Sequence, residues 1–209
     1  MTISIEPAAE AATIRTVGAT EVDRLSDVLT QAFYDDPVFA WFWPRPHRRY
    51  ERITRFFRTL ALEGATLPFG HVYTTDSVAG GALWMPPGEA HSSTAETLRM
   101  IPELARVTGR GIVRAMRGLS LMDAAHPHED HWYLWFVGVA PQWRGAGLGS
   151  ALMRPILDRA DAERMPAYLE ATSPLNRRLY ERHGFEVTGE ILLPDGPVMW
   201  PMWREPAAG

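Results

Sequence analysis

Apolar and polar positions in the second half of the chain alternate between strand-like and helix-like spacing. A continuous aromatic and aliphatic run, HWYLWFVGV, is typical of a buried strand. The pattern predicts, in order, a strand at 131–139, a helix at about 149–164, a strand at 166–171, a helix at 174–183 and strands at 185–193 and 196–205. Ser173 and Gly184 supply the expected start and stop of the second helix. Strands that alternate with helices indicate a sheet with helices packed against it.

The first half of the chain follows the same two periods less regularly. The pattern predicts a strand at 12–17, helices at 21–33 and 50–64, and two antiparallel strands within 71–86. Residues 93–126 are helical in composition, but Pro102, Gly109 and Gly111 interrupt them, which favours two or three short helices. Residues 1–11 are small and acidic and predict a flexible tail, so one domain is expected over 12–206.

Composition and charge exclude several classes of function. The net charge of −4 over 209 residues gives no reason to expect a nucleic-acid partner. The chain has no cysteine and no lysine, which excludes disulfides, thiolate chemistry, Schiff bases and a phosphate-binding P-loop lysine. No leader peptide is recognisable, and no run reaches the roughly 20 apolar residues of a membrane span. We therefore expect a cytoplasmic protein without a membrane partner.

A glycine-rich segment, VGVAPQWRGAGLGS at 137–150, joins the predicted strand at 131–139 to the helix after it. The first N–H groups of a helix have no partner inside it, so such a junction attracts phosphate. The glycines do not follow the dinucleotide pattern GxGxxG. Arg144, Gly147 and Gly149 do meet the pattern (Arg/Gln)-x-x-Gly-x-(Gly/Ala), which holds the pyrophosphate of coenzyme A. On this segment alone, a merely flexible connection is the alternative.

The residues around this segment resemble the GCN5-related N-acetyltransferase (GNAT) superfamily. The block from Trp132 to Phe185 holds a strand ending VGVAP, the arginine–glycine loop, Asn176, Tyr180 and the sequence YERHGF. Within the superfamily, puromycin N-acetyltransferases are the most similar, through VGVAPQWRGAGLGSAL, PAYLEATSPLNRRLYERHGFEVT and PDGPVMWPM. The resemblance covers about the last 80 residues well and the first 60 loosely, and residues 90–128 carry no match.

The resemblance implies an α/β fold, with a mixed central sheet of about six to seven strands flanked by helices and splayed between the two central parallel strands. It also implies acetyl-coenzyme A as co-substrate, held mainly by the half of the domain at 131–206. The expected coenzyme contacts are the main chain of Val137, Gly138 and Val139, the N–H groups of Arg144, Gly145, Ala146, Gly147, Leu148, Gly149 and Ser150, and the side chains of Asn176 and Tyr180.

Two side chains are candidates for proton transfer. The resemblance places the hydroxyl of Tyr180 near the coenzyme sulfur, and a phenol with a pKa of about 10 is suited to protonate a departing thiolate. Glu170 resembles a carboxylate at the same place in puromycin N-acetyltransferases and is the candidate base, with an orienting role as the alternative. Glu129, Asp130 and His131 are rival bases, and a strand N–H near Val137 is the candidate donor to the oxyanion.

Aromatic residues are numerous for one domain and are candidates for a pocket that binds a planar or apolar amine, with core packing as the alternative. They are Phe33, Tyr34, Trp41, Trp43, Trp84 and Trp135. The segment HPHED at 126–130 is predicted to be a solvated loop, because neither cysteine nor a helical histidine pair accompanies it, and no metal is predicted.

The sequence therefore predicts an acetyl-coenzyme-A-dependent N-acetyltransferase that acts on a small-molecule amine, with a puromycin-like antibiotic as one candidate. A non-catalytic acyl-coenzyme-A sensor and a protein N-acetyltransferase are the alternatives. A monomer or a homodimer is expected.

Overall fold

A computed structural model describes residues 13–89 and 94–207, so the predicted tail at 1–11 lies outside the described residues. In the described ranges an eight-stranded sheet is flanked by helices, which confirms the predicted fold class. The strands are β1 Ile14–Thr16, β2 Val72–Thr75, β3 Gly80–Met85, β4 Trp132–Val139, β5 Ala167–Ala171, β6 Glu186–Val187, β7 Ile191–Leu192 and β8 Val198–Arg204. The sheet exceeds the predicted number of strands because the segment at 185–193 divides into β6 and β7.

The helices pack on both faces of this sheet. They are α1 Val22–Phe33, α2 Pro37–Phe42, α3 Pro46–Arg55, α4 Thr94–Thr108, α5 Ile112–Ala125, α6 Leu148–Glu163 and α7 Pro174–Glu181. Turns with π-helical hydrogen bonding at Phe56–Thr66 continue α3, so Gly64 does not end this helix as its composition predicts. The helical path ends instead at Gly70, which has a φ of 73° and needs the freedom of glycine there.

The strand order is β1-β2-β3-β4-β5-β8-β6, with β7 also paired to β8. Only β4 and β5 run parallel among the described neighbours, and they pair at just two positions, Trp132 with Ala167 and Tyr133 with Tyr168. On its other side β4 pairs with β3 as far as Val139. The predicted splay is thus confirmed, and the β5-facing backbone of 134–139 has no strand partner in the described sheet.

Two apolar cores lie on the two faces of the sheet, because successive residues of a strand point to opposite faces. On β3, Leu83 packs in the core formed with α1 and α3, whereas Ala82 and Trp84 pack in the core formed with α6. Gly138 brings α1 directly onto β4, since a Cβ there would lie 2.8 Å from Cε2 of Phe33 and 2.9 Å from Cβ of Ala32.

Within the described ranges no helix is both long enough and apolar enough to cross a lipid bilayer.

Candidate active site

An apolar cavity of about 110 Å³ lies where β4 and β5 diverge. Strand β4 lines it from Tyr133 to Val137, and β5 contributes Leu169 and Glu170. The register between β3 and β4 shifts so that Trp135 is an extra residue on β4, and such a bulge re-aims side chains. Among the described lining residues, Glu170 carries the only carboxylate.

Helices α4 and α5, in which the sequence alone showed no family resemblance, form one wall of this cavity. Leu104 and Thr108 come from α4, and Ala115, Leu119 and Met122 come from α5. Residues 104–122 therefore contribute mainly apolar surface to the cavity.

Glu170 is buried, with 5% of its side chain exposed. Its Oε2 accepts a hydrogen bond of 2.8 Å from the hydroxyl of Tyr133. Burial, and then the negative charge of Glu170, raise the pKa of Tyr133 well above its ordinary value, so this phenol remains a donor. The other oxygen, Oε1, is buried and has no hydrogen-bond partner in the part of the chain that the structure describes. A buried acceptor left in this way suits a ligand that brings N–H donors.

Tyr180 lies on α7 and lines the same cavity, together with Asn176 and Thr172. Burial, and then the charge of Asp36, raise the pKa of Tyr180 above 10.0, so the phenol is fully protonated at neutral pH. A general acid must be protonated before it acts, so this environment suits the predicted role.

Asp36 begins α2 and links it to the end of β5. Its carboxylate accepts hydrogen bonds from the N–H groups of Val38, at 2.9 Å, and Phe39, at 3.1 Å. The hydroxyl of Thr172 donates to the other carboxylate oxygen. Burial raises the pKa of Asp36 above its ordinary value, although these hydrogen bonds oppose the shift.

The glycine-rich loop has the backbone of an anion-binding junction. Gly145 and Gly147 have φ values of 81° and 75°, in the left-handed region that favours glycine. Gly147 immediately precedes α6 and has no side chain to cap it, so the first N–H groups of the helix lack a capping partner. A Cβ at Gly145 would meet no described atom within 4 Å, which leaves the backbone there open to a ligand.

Three residues predicted to contact the coenzyme also contact other residues of the protein. The guanidinium of Arg144 donates to the carbonyl oxygen of Ala32 at 3.0 Å, which ties the loop to α1. The hydroxyl of Ser150 lies 2.8 Å from Nε2 of His183. Asn176 donates its backbone N–H to Oγ of Ser173, the predicted start of α7, and its side chain lines the cavity.

The structure brings half of the aromatic pocket candidates to the cavity, namely Phe33, Trp43 and Trp135. Trp84 lies on the opposite face of the sheet, fully buried in the core with α6. Core packing therefore accounts for Trp84.

Two further candidates pack elsewhere on the protein. Trp41 donates from Nε1 to the carbonyl oxygen of Pro194 at 2.9 Å, beside Gly196. The ring of Tyr34 lies 5.4 Å from the guanidinium carbon of Arg49.

The prediction of a solvated loop at 126–130 is wrong for His126, whose side chain is only 8% exposed. His131 is also buried, whereas Glu129 and Asp130 are exposed. His126 directly follows α5, and its Nδ1 lies 3.8 Å from Oε1 of Glu170. Sequence reasoning missed this contact, because no local pattern shows that the end of α5 reaches β5.

Residues 30–185 match the Acetyltransferase (GNAT) family. The chain is 29% identical over 188 residues to an uncharacterized N-acetyltransferase of Schizosaccharomyces pombe, a match that covers 85% of this chain and 75% of the relative. A crystal structure described as histone acetyltransferase HPA2 and related acetyltransferase, from Corynebacterium glutamicum, superposes with a TM-score of 0.72 and 30% identity. That superposition covers 95% of this chain and 98% of the other.

A polyamine N-acetyltransferase of Drosophila melanogaster, which forms N-acetylagmatine, shares the fold with a TM-score of 0.63 and 17% identity over 93% of this chain and 99% of the other. Because the family match spans most of the chain, the protein belongs to the GNAT family. It is an N-acetyltransferase that uses acetyl-coenzyme A as its acetyl donor.

Proposed function

We propose that the protein acetylates the primary amine of a small molecule with an apolar, aromatic body. The observation that carries this proposal is the cavity between the diverging strands, whose walls are aromatic and aliphatic and whose single described carboxylate is Glu170. An amine that donates to Glu170 would place its apolar body against Phe33 and Trp135.

The acetyl donor fits the unpaired surfaces that border this cavity. Its pantetheine amides would pair with the backbone of Val137, Gly138 and Val139, on the side of β4 that no described strand covers beyond Tyr133. Its pyrophosphate would accept from the N–H groups of the loop between Arg144 and Ser150, and Asn176 would contact the coenzyme from α7. The donor supplies an activated acetyl thioester at the mouth of the cavity.

Two protons would then be transferred by side chains of the protein. Glu170 takes one from the ammonium group of the acceptor, which frees the nitrogen lone pair for attack on the thioester carbon. Tyr180 gives one to the sulfur as the carbon–sulfur bond breaks, so that a neutral thiol leaves, and the tyrosinate takes the second proton of the attacking nitrogen as the amide forms. A backbone N–H near Val137 would stabilise the oxyanion, an interaction worth about 3 kcal/mol in the transition state.

The single carboxylate favours a monoamine over a polyamine. A second ammonium group in this apolar cavity would meet no second carboxylate among the described lining residues, and burying a charge without a direct partner costs several kcal/mol. A puromycin-like aminonucleoside, which combines an aromatic body with one amine, fits this description and the likeness seen in the sequence. We place such a reaction in the cytoplasm.

The test is thiol release from acetyl-coenzyme A with a panel of acceptors at pH 7.5. The panel contains 2-phenylethylamine, tryptamine, puromycin, spermidine, agmatine and a peptide with a free N-terminus. We expect the aromatic monoamines to exceed spermidine and agmatine at least tenfold in kcat/KM. Preference for the peptide or for a polyamine would contradict the proposal. Thermal stabilisation by acetyl-coenzyme A without acetylation of any acceptor would instead favour a sensor.

A further inference from the structure

A buried aromatic cluster lies beside Glu170. The cluster contains Tyr133, His126, His131 and Tyr168. The ring centroid of His126 lies 4.8 Å from those of Tyr133 and Tyr168 and 5.0 Å from that of His131. The centroids of His131 and Tyr168 are 5.4 Å apart. The side chain of His126 is 8% exposed and His131 is 2% exposed. Two imidazoles buried beside a carboxylate give the site a capacity for protons that Glu170 alone lacks.

The contacts of His131 determine where both rings carry their protons. Nδ1 of His131 lies 2.6 Å from the carbonyl oxygen of Glu129, and a carbonyl only accepts, so this nitrogen carries hydrogen. A neutral His131 then presents a lone pair at Nε2, which lies 3.1 Å from Nε2 of His126. Between two neutral rings His126 is then the donor, from Nε2, and its own lone pair is at Nδ1.

That lone pair faces the carboxylate of Glu170, since Nδ1 of His126 lies 3.8 Å from Oε1 of Glu170. This is the oxygen without a hydrogen-bond partner among the described residues, while Oε2 is held by the hydroxyl of Tyr133. We propose that His126 is the terminal acceptor of the acceptor amine's proton, which Glu170 receives first and hands to Nδ1 of His126. This assignment rests on the proposed acetylation of an amine in the cavity.

The transfer balances in two steps. The N–H bond of the ammonium group breaks as an O–H bond forms on Glu170, and that O–H bond then breaks as an N–H bond forms on Nδ1 of His126. The products are a carboxylate and an imidazolium in contact, with the second N–H of the imidazolium still donated to His131. The imidazolium releases its proton to solvent when the products leave. In general an imidazole binds a proton more tightly than a carboxyl group does.

The groups described around His126 support this direction. Glu170 faces the ring through Oε1, which lies 3.8 Å from Nδ1. Tyr133 and Tyr168 face the ring, and burial raises the pKa of both phenols, so neither competes for the proton near neutral pH. His131 faces it as an acceptor.

The kinetic test replaces His126 by Gln, which keeps an N–H donor for His131 but accepts no proton. Its control is His128→Gln on the exposed part of the same loop. With the best acceptor of the panel, we expect His126→Gln to lower kcat about 10- to 100-fold at pH 7, with the loss shrinking as pH rises and the amine deprotonates in solution. His128→Gln should follow the wild-type pH profile. A His126→Gln profile that overlays the wild type would overturn the proposal, as would a loss that is constant with pH.

A second measurement needs neither turnover nor a folded variant. Nitrogen-15 shifts of the histidine rings in the wild-type protein at pH 8 report which nitrogen carries hydrogen. We expect hydrogen on Nδ1 of His131 and on Nε2 of His126. Hydrogen on Nδ1 of His126 would overturn the proposal, because that nitrogen would have no lone pair for the proton. If the wild type acetylates no acceptor, the proposed function fails. The nitrogen-15 chemical shifts still show whether Nδ1 of His126 has the lone pair that the proton transfer requires.

Discussion

Thr172 donates a hydrogen bond to the carboxylate of Asp36, although the two residues are 136 positions apart in the chain. The bond joins the end of β5 to the start of α2 and so ties together two walls of the cavity. It also fixes a negative charge close enough to Tyr180 to raise the pKa of that phenol. One contact therefore affects both the shape of the site and the proton affinity of its candidate acid.

Asp36→Asn should change how stability depends on pH. Asn caps a helix as well as Asp does, so α2 should keep its start. Burial raises the pKa of Asp36 above 3.8, so the folded protein binds this proton more tightly than the unfolded chain does. Wild-type stability therefore carries a penalty that is absent below the unfolded pKa and develops as pH rises through the folded pKa. Urea unfolding measures the free energy of unfolding of both proteins at pH 3.5 and pH 7. Relative to the wild type, the variant should be more stable at pH 7 than at pH 3.5, whereas a difference that does not change with pH would contradict this assignment.

Tyr180→Phe should lower kcat about 100-fold and leave the Kd for acetyl-coenzyme A within about twofold. The substitution removes the hydroxyl alone, and the buried ring keeps its packing against Phe185. Tyr50→Phe, at an exposed tyrosine, is the matched control and should behave as the wild type. Equal kcat values for Tyr180→Phe and the wild type would remove Tyr180 as the acid.

Two glycine-to-alanine changes should separate folding from coenzyme binding. Gly138→Ala places a Cβ against Phe33 and Ala32, so α1 must shift, and we expect a loss of about 2 kcal/mol in the free energy of unfolding. Gly145→Ala meets no such contact and should lose about 1 kcal/mol from its left-handed backbone. Its Cβ would stand where the pyrophosphate is proposed to approach, so its Kd for coenzyme A should rise about tenfold or more. Unfolding curves and calorimetric titration measure both effects, and an unchanged Kd in Gly145→Ala would argue against the loop as the pyrophosphate site.

Trp135→Ala should alter acceptor preference. Removing this indole takes apolar surface from the cavity wall, so kcat/KM for tryptamine should fall about tenfold while the Kd for acetyl-coenzyme A stays constant. Trp84→Phe is the contrasting variant, because Trp84 lies in the core with α6 and should affect stability without changing preference. Equal acceptor preference in Trp135→Ala and the wild type would count against the cavity as the acceptor site.

The second half of the fold could be predicted because its signals are local. The buried run of β4, the start of α7 at Ser173 and the turn at Gly184 each follow from a few adjacent residues. The splay between β4 and β5 followed from the family resemblance rather than from periodicity. The placement of the coenzyme residues and the roles of Tyr180 and Glu170 remain predictions that the variants above address.

The contacts around Glu170 could not be predicted, because they join residues far apart in the chain. Tyr133 and His126 reach Glu170 from the start of β4 and the end of α5, and nothing in their local sequence indicates it. Aromatic side chains posed the same difficulty. Trp84 and Trp135 lie on neighbouring strands, yet only the register between β3 and β4, with its bulge at Trp135, decides which one meets the cavity.

The central claim is that Glu170 receives the proton of an apolar monoamine during acetyl transfer. The most direct test compares the wild type with Glu170→Gln at pH 7, with tryptamine and with spermidine as the acceptor. Both the N-acetyl product and the free thiol are measured in each reaction. The account predicts equal amounts of both products, a clear preference for tryptamine, and a loss of about 100-fold in kcat for Glu170→Gln at an unchanged Kd for acetyl-coenzyme A. Wild-type turnover by Glu170→Gln, or a preference for spermidine, would contradict it.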